Sequence, residues 1–328
     1  MATIATVENL RAYYIVKAVG GVTVSEIKAV DNVSFEVREN EVLGIAGESG
    51  CGKSTLMKVM YGLIAPPLTV KGGSVHYFFE GRKVDLIGAD RKTLNRIWWK
   101  YISYIPQGSM NVLNPTMRVK DQFLDVLRAH IRRLDEEEAE DMILKHIESM
   151  GLPREVYTSF PHQLSGGMRQ RVVIALATIL KPKVILADEP TTALDVVVQR
   201  GVLQLLRRVQ KELRNTLVVV THDMGVHAQI ADRMIIMYAG KVVEIGPVDK
   251  VFEEPLHPYT KYLIQSLPKI GDKTLRKGIP GKPPSLENPP PGCRFYPRCP
   301  RVMDVCKVEE PEMVEVEPMH YVACHLVR

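Results

Sequence analysis

An α/β fold is the expectation for this chain, and three observations carry it. Short apolar runs at residues 42–46, 184–188 and 217–221 lie between helical segments, the pattern of strands in a sheet buried on both faces. The first run leads straight into the glycine-rich stretch Gly47-Glu48-Ser49-Gly50-Cys51-Gly52-Lys53-Ser54-Thr55 and then into the helical segment Thr55 to Met60. Residues 4–10 and 24–38 alternate polar and apolar side chains as half-buried strands do. With 328 residues the chain has room for one large domain with accessories, or for two domains. Its 45% hydrophobic and 25% charged residues are those of an ordinary globular protein. A net charge of +5 is too small for a dedicated nucleic-acid binder but is compatible with work beside an anionic membrane.

Taken in order, the strand patterns at 4–10 and 24–38 are followed by a turn at Glu39-Asn40-Glu41, where Asn40 suits a left-handed backbone. Strand-rich residues 72–86 precede an amphipathic segment, Arg91 to Lys100, and a strand-like run, Tyr101 to Ile105, that ends at Pro106-Gln107. From Val119 to Met150 apolar residues recur at helical spacing, interrupted by the acidic run Asp135 to Asp141, read as a solvated helix face. Beyond about residue 250 the character changes. Pro and Gly cluster between Leu267 and Gly292, which marks a loop-rich appendage. No apolar run reaches the length of a membrane span, and no basic-then-apolar leader pattern surrounds Glu8, so a cytosolic location is expected.

The chemistry starts at Gly47–Thr55, whose spacing is that of a phosphate-binding loop, placed as required between a strand and a helix. Gly47, Gly50 and Gly52 let the backbone turn its N–H groups inward, while Glu48, Ser49 and Cys51 complete the loop. Lys53 is expected to neutralise the β- and γ-phosphates of ATP, Ser54 to ligate Mg²⁺ and Thr55 to bond the α-phosphate. Val184 to Asp188 is an apolar strand that ends in two carboxylates. Asp188 is expected to hold Mg²⁺ through water and Glu189 to polarise the attacking water as general base. A strand ending in Asp-Glu is common by itself; after a phosphate loop it gains meaning. Gln107 could reach the metal and the attacking water, though by itself it reads better as a polar loop residue, and His222, at the end of the run 217–221, could sense the γ-phosphate, though a lone histidine at a strand end is more often a satisfied surface or core residue. In Leu164-Ser165-Gly166-Gly167-Met168-Arg169-Gln170-Arg171, Ser165 reads as the N-cap of a helix, and Gly166 and Gly167 expose consecutive amides at its start, a second anion surface.

Gly47–Thr55, Gln107, Leu164–Gln170, Val184–Glu189, Ala193-Leu194-Asp195 and His222 together resemble the full motif set of the ABC ATPases, over roughly residues 1–250. The resemblance implies a RecA-like sheet with an antiparallel β subdomain and a helical subdomain at about 108–180. It also implies a head-to-tail dimer, with Ser165, Gly166 and Gly167 acting across the interface and Asp195 coupling the two sites. The family stacks adenine on an N-terminal aromatic; Tyr14 best matches that position, before Tyr13. His257-Pro258-Tyr259-Thr260, Gly278 to Pro284 and Gly292 to Pro300 look like the C-terminal extension of the oligopeptide/dipeptide group of ABC importers, which assigns 251–328 to that extension. Thr191-Thr192-Ala193-Leu194-Asp195 and Leu113-Asn114-Pro115 fit the same group. The segment Gln107-Gly108-Ser109 departs from the usual Gln-Asn/Asp-Pro, which touches the contact with the membrane partner and not the chemistry.

The resemblance implies ATP hydrolysis that energises import of peptides, or of related solutes such as oligosaccharides. The implied partners are two membrane permeases, a second ATPase subunit, identical or not, and indirectly an extracellular solute-binding protein. The implied location is peripheral, on the cytoplasmic face of the cell membrane. A clamp ATPase acting on nucleic acid or the ribosome is the alternative, disfavoured because such proteins carry two cassettes or a coiled-coil insertion. An exporter cassette is a third, more often fused to a membrane domain. Cys293, Cys299, Cys306 and Cys324, spaced C-x5-C-x6-C-x17-C, lack the close pairs of zinc ribbons. In the resembled group, related cysteines hold an iron–sulfur cluster, so a 4Fe-4S cluster is expected ahead of zinc or of free or disulfide-bonded thiols, with His325 a neighbour. Cys51 is expected to be a packed residue through which alkylation inhibits the ATPase.

Overall fold

A computed structural model describes residues 2–17, 23–108, 111–192, 194–267 and 278–327. Ser109 and Ala193, named in the motifs above, lie outside them. The chain forms two compact units, one of residues Met1–Gly88 with Val220–Arg328, the other of residues Ala89–Val219.

In the first unit, β1 (Thr3–Lys17), β2 (Thr23–Arg38), β4 (Leu68–Phe79) and β5 (Arg82–Asp85) make an antiparallel sheet in the order β2-β1-β4-β5. The expected turn after β2 is present, with Asn40 at φ 60°. It delivers β3 (Val42–Ala46), every residue of which is buried, into helix α1 (Lys53–Met60). β3 pairs in parallel with β9 (Arg233–Tyr238), Gly44 opposite Met234, and β9 pairs antiparallel with β10 (Lys241–Pro247).

The stretch past residue 250 departs from a pure appendage. Residue 250 falls inside a helix, α8 (Val248–Glu253), and α9 (Pro258–Gln265) follows. The strands β11 (Met313–Glu317) and β12 (His320–Ala323) form a hairpin whose β12 adds to the edge of β10, Glu244 opposite Val322. The join is polar at its centre. Glu244, fully buried, sits 2.8 Å from His320 Nε2 and accepts the backbone N–H groups of Leu256 and His257. A buried carboxylate needs such partners to be tolerated. The loop-rich character holds between 278 and 304, broken by one short 3-10 helix at Tyr296–Arg298; α7 (Met224–Ile230) and α10 (Val305–Val308) complete the unit.

In the second unit, β6 (Ile102–Ile105) pairs in parallel with β7 (Val184–Asp188), and β8 (Thr216–Val220) lies on β7's other side. Helix α2 (Arg91–Ile97) begins at Asp90, whose carboxylate accepts the Thr93 N–H. The helical stretch 119–150 is two helices, α3 (Val119–His130) and α4 (Glu136–Ser149). The acidic run does not decorate one continuous helix; it starts the second. Asp135 accepts the N–H groups of Glu137 and Glu138, and Glu136, Glu137 and Glu138 fill the first turn, where the helix dipole favours negative charge. Helices α5 (Gly166–Thr178) and α6 (Val196–Leu213) complete the unit. Among the described residues no helix is long and apolar enough to cross a membrane.

Candidate functional site

The loop after β3 is shaped by glycines. Gly47, Gly50 and Gly52 have φ of 153°, 78° and 107°. A Cβ on Gly47 would stand 2.2 Å from the Met237 carbonyl oxygen, and one on Gly52 1.9 Å from that of Ala29, so no other residue fits either place. Gly52 caps α1 without a side chain, which leaves the first amides of the helix to the loop. Lys53 is 6% exposed, and its ammonium donates to the carbonyls of Gly47 (2.7 Å) and Glu48 (3.0 Å). Tyr14 reaches this loop, its hydroxyl 3.2 Å from Thr55 Oγ1. Tyr13 is turned elsewhere and donates to Asp31 at 2.5 Å. Ser54 lies at the start of α1, and Ser49 on the loop before it. Cys51 corrects one expectation. The thiol is packed as expected, but burial holds its pKa above the ordinary value, so it is a poor nucleophile for alkylating agents.

His222 follows β8 and is exposed. Behind it, His227 on α7 is wholly buried, its Nε2 3.3 Å from the carbonyl oxygen of Thr221. Burial lowers the His227 pKa to about 4, so the ring is neutral at pH 7. A Cβ on Gly44 would stand 2.5 Å from His227 Nδ1, which explains a glycine in the middle of β3. That glycine was the only sequence signal for His227.

The second unit gathers a different set. Asp188, 1% exposed at the end of β7, accepts the Tyr104 hydroxyl at 3.0 Å. Glu189 follows at φ 46°, a left-handed position that non-glycine residues seldom take. Its Oε2 accepts both the Gln107 amide (3.1 Å) and the Thr192 hydroxyl (2.8 Å). Gln107 and Glu189 are thus brought together, with Tyr104 and Thr192 as supports that motif reading missed. Ser165 caps α5 as expected, its Oγ accepting the Met168 N–H at 3.3 Å, with Gly166 and Gly167 in the first turn. A Cβ on Gly167 would stand 2.8 Å from a Val198 methyl carbon, so this turn lies against α6. Asp195 caps α6 through the N–H groups of Val197 and Val198. Val196 and Val197 beside it are about four-fifths exposed.

The expectation of an iron–sulfur cluster or of zinc at the four C-terminal cysteines gains no support from the structure. Among the described residues no group of three or more His, Cys, Asp or Glu is placed to hold a metal ion. All four thiols are free, and they fall on separate elements. Cys306 packs in α10 and Cys324 behind β12, while the Cys293 N–H donates to the Cys306 carbonyl. Burial, with the other three thiols adding, pushes Cys293 up to about 12, and burial also raises Cys299 and Cys324.

Comparison with known proteins adds to this geometry. Residues 30–192 match the family described as ABC transporter, and residues 243–306 match that described as oligopeptide/dipeptide transporter, C-terminal region. The chain is 43% identical over 328 residues to a dipeptide transport ATP-binding protein of Caldanaerobacter subterraneus, covering 99% of this chain and 98% of that one. It is 38% identical over 304 residues to the oligopeptide transport ATP-binding protein of Escherichia coli, covering 91% and 88%. Among solved structures it resembles the ATP-binding cassette MJ0796, a dimer in a post-hydrolysis state with ADP and phosphate. That likeness has a TM-score of 0.64 and 28% identity and covers 75% of this chain and 99% of that one. A cassette from Clostridium perfringens that is part of an ABC transporter complex gives a TM-score of 0.62 at 26% identity, covering 77% and 92%.

Proposed function

The chain belongs to the ATP-binding subunits of the oligopeptide/dipeptide ABC transporters, and from that premise we propose that it hydrolyses ATP to drive import of peptides or related solutes. It works as a peripheral subunit on the cytoplasmic face of a membrane, beside two permeases and a second ATPase subunit, with a solute-binding protein acting outside. One observation carries the reading: a complete phosphate loop and an Asp188–Glu189 strand end share a chain with a C-terminal region of the peptide-transporter kind. Residues 1–250 supply the ATPase and 251–328 the extension.

Each residue then has a role. Amides of the Gly47–Thr55 loop other than that of Glu48, with the Lys53 ammonium, receive the phosphates, and Tyr14, already against Thr55, stacks on adenine. Ser54 and Asp188 hold Mg²⁺, joined by Gln107, which offers its amide oxygen while its Nε2 holds Glu189. When bound, the ion offsets charge on the phosphates. Glu189 takes the proton of the attacking water, its carboxylate aimed by Gln107 and Thr192, and His222 senses the γ-phosphate. Ser165, Gly166 and Gly167 serve the nucleotide of the partner subunit, and Asp195 couples the two sites while it caps α6. The exposed Val196 and Val197 fit a surface that a partner covers.

The test is to purify the protein from gently solubilised membranes and identify its companions by mass spectrometry. Two polytopic permeases and a second ATPase are expected. Ribosomal proteins or nucleic acid without permeases would overturn the transport reading.

A further inference from the structure

Two sequence motifs of the extension, His257–Thr260 and Gly292–Pro300, have no part in the chemistry above, yet both end on one residue of the phosphate loop. Every polar group of Glu48 is engaged. Its N–H donates to the Tyr259 hydroxyl oxygen at 2.8 Å, and its carbonyl accepts Lys53 Nζ at 3.0 Å. Its carboxylate receives both terminal nitrogens of Arg298, at 2.7 and 3.1 Å. Such a two-point fork is the strongest and most directional form of ion pair.

The two holding residues are themselves fixed. Arg298 has a side chain only 5% exposed; its Nε donates to the Pro280 carbonyl at 2.7 Å and its Nη1 to the Tyr238 hydroxyl at 3.2 Å. Tyr259 is fully buried in an aromatic cluster, 4.6 Å from the Tyr238 ring and 5.5 Å from that of Phe295. Its backbone N–H is held by His257 Nδ1 at the start of α9. Neither contact has slack to follow the loop, so the loop must conform to them.

The placement has an electrostatic consequence. A carboxylate in a loop built to receive phosphate repels its ligand unless a cation neutralises it, and Arg298 is that cation. The Tyr259 contact takes the Glu48 amide out of the phosphate cradle. We propose that Arg298 and Tyr259 of the extension are positioning residues for the phosphate loop, so that the extension sets its affinity for MgATP. This rests on the ATPase reading above.

The test is MgATP titration of the full chain and its variants, with turnover measured at saturating ATP. Arg298→Met leaves Glu48 bare, and Kd is expected to rise about 10- to 100-fold, the range for loss of a charge-assisted pair, while kcat changes by only a few fold. Glu48→Gln has the opposite sign: it removes the repelling charge, and Kd stays at the wild-type value or falls. In the double variant Arg298→Met with Glu48→Gln, affinity returns to within about threefold of wild type, because no bare carboxylate remains. Tyr259→Phe gives a smaller rise. A contact that merely holds the extension down would weaken both single variants and show no recovery in the double, and either result overturns the proposal. Unchanged affinity in Arg298→Met also overturns it. If the wild-type chain itself fails to bind MgATP, the ATPase reading falls, and the proposal with it.

Discussion

After β3 the chain turns on three glycines at positive φ, whereas after β7 it turns on a glutamate at positive φ, and the two loops are held by different means. The first is fixed through its backbone. Carbonyls of Met237 and Ala29 press on Gly47 and Gly52, Lys53 bonds two carbonyls of its own loop, and Tyr259 takes an amide. The second is fixed through side chains: Tyr104 on Asp188, and Gln107 and Thr192 on one oxygen of Glu189. The contrast fits the division of labour proposed for them. A loop that receives the same anion each cycle gains from a rigid backbone, since rigidity lowers the ordering cost of binding. A carboxylate that gains and loses a proton needs hydrogen bonds that can be remade without moving the chain.

The largest effect expected is at the second loop. Glu189→Gln keeps the size and both hydrogen-bond partners but removes the base, and turnover is expected to fall about 10²- to 10⁴-fold with MgATP affinity nearly unchanged. Phosphate release and nucleotide titration on one preparation separate the two quantities; hydrolysis near the wild-type rate would refute the assignment of the base. At the first loop the split reverses. Lys53→Ala removes a buried cation from the phosphate cradle, and Kd for MgATP is expected to rise about 10- to 100-fold. Unchanged affinity there would break the contrast by showing that the backbone alone receives the anion.

Acid should press on both units through their buried histidines. His227 and His257 in the first unit and His146 in the second are all held near pKa 4, chiefly by burial. Their unfolded value is about 6.5, so below that pH the unfolded chain takes up protons that the folded chain refuses. Stability therefore falls as pH drops from about 6.5 toward 4, by about 1.4 kcal/mol per pH unit for each histidine. Urea unfolding at pH 7.5 and 5.5 measures the loss. In His227→Gln the slope should flatten by one histidine's share, and an unchanged slope would mean that His227 is not buried neutral.

How much of this was legible in the sequence follows from how local each feature is. The β3 loop and the β7 end could be read because strand, turn and chemistry are contiguous, and Ser165 and Asn40 because a cap and a left-handed turn are matters of a few residues. Glu189 and Gln107 could both be named, but not the hydrogen bond that joins them across 82 residues, nor the Thr192 hydroxyl on the same oxygen. The β11–β12 hairpin was hidden because its pairing partner, β10, is remote and its own strands are short. Arg298, 250 residues from Glu48, gave no local sign of its role. For the cysteines the spacing said little of what the thiols hold, and among the described residues no metal-holding group is found.

The smallest effect sharpens the comparison most. Thr192→Val removes one of the two hydrogen bonds to Glu189 Oε2 and leaves the β-branched shape in place. A neutral hydroxyl on a carboxylate is worth about 1–2 kcal/mol, most of it in orientation here, since Gln107 still holds the same oxygen. Turnover is expected to fall about 3- to 10-fold, with Kd for MgATP unchanged, because the Thr192 hydroxyl is spent on the base. Since Thr192 orients the base and is not itself the base, the pH dependence of turnover should keep its form as its height drops. A loss of affinity in place of turnover would mean that the β7 loop, too, is held for binding, and the distinction between the two loops would collapse.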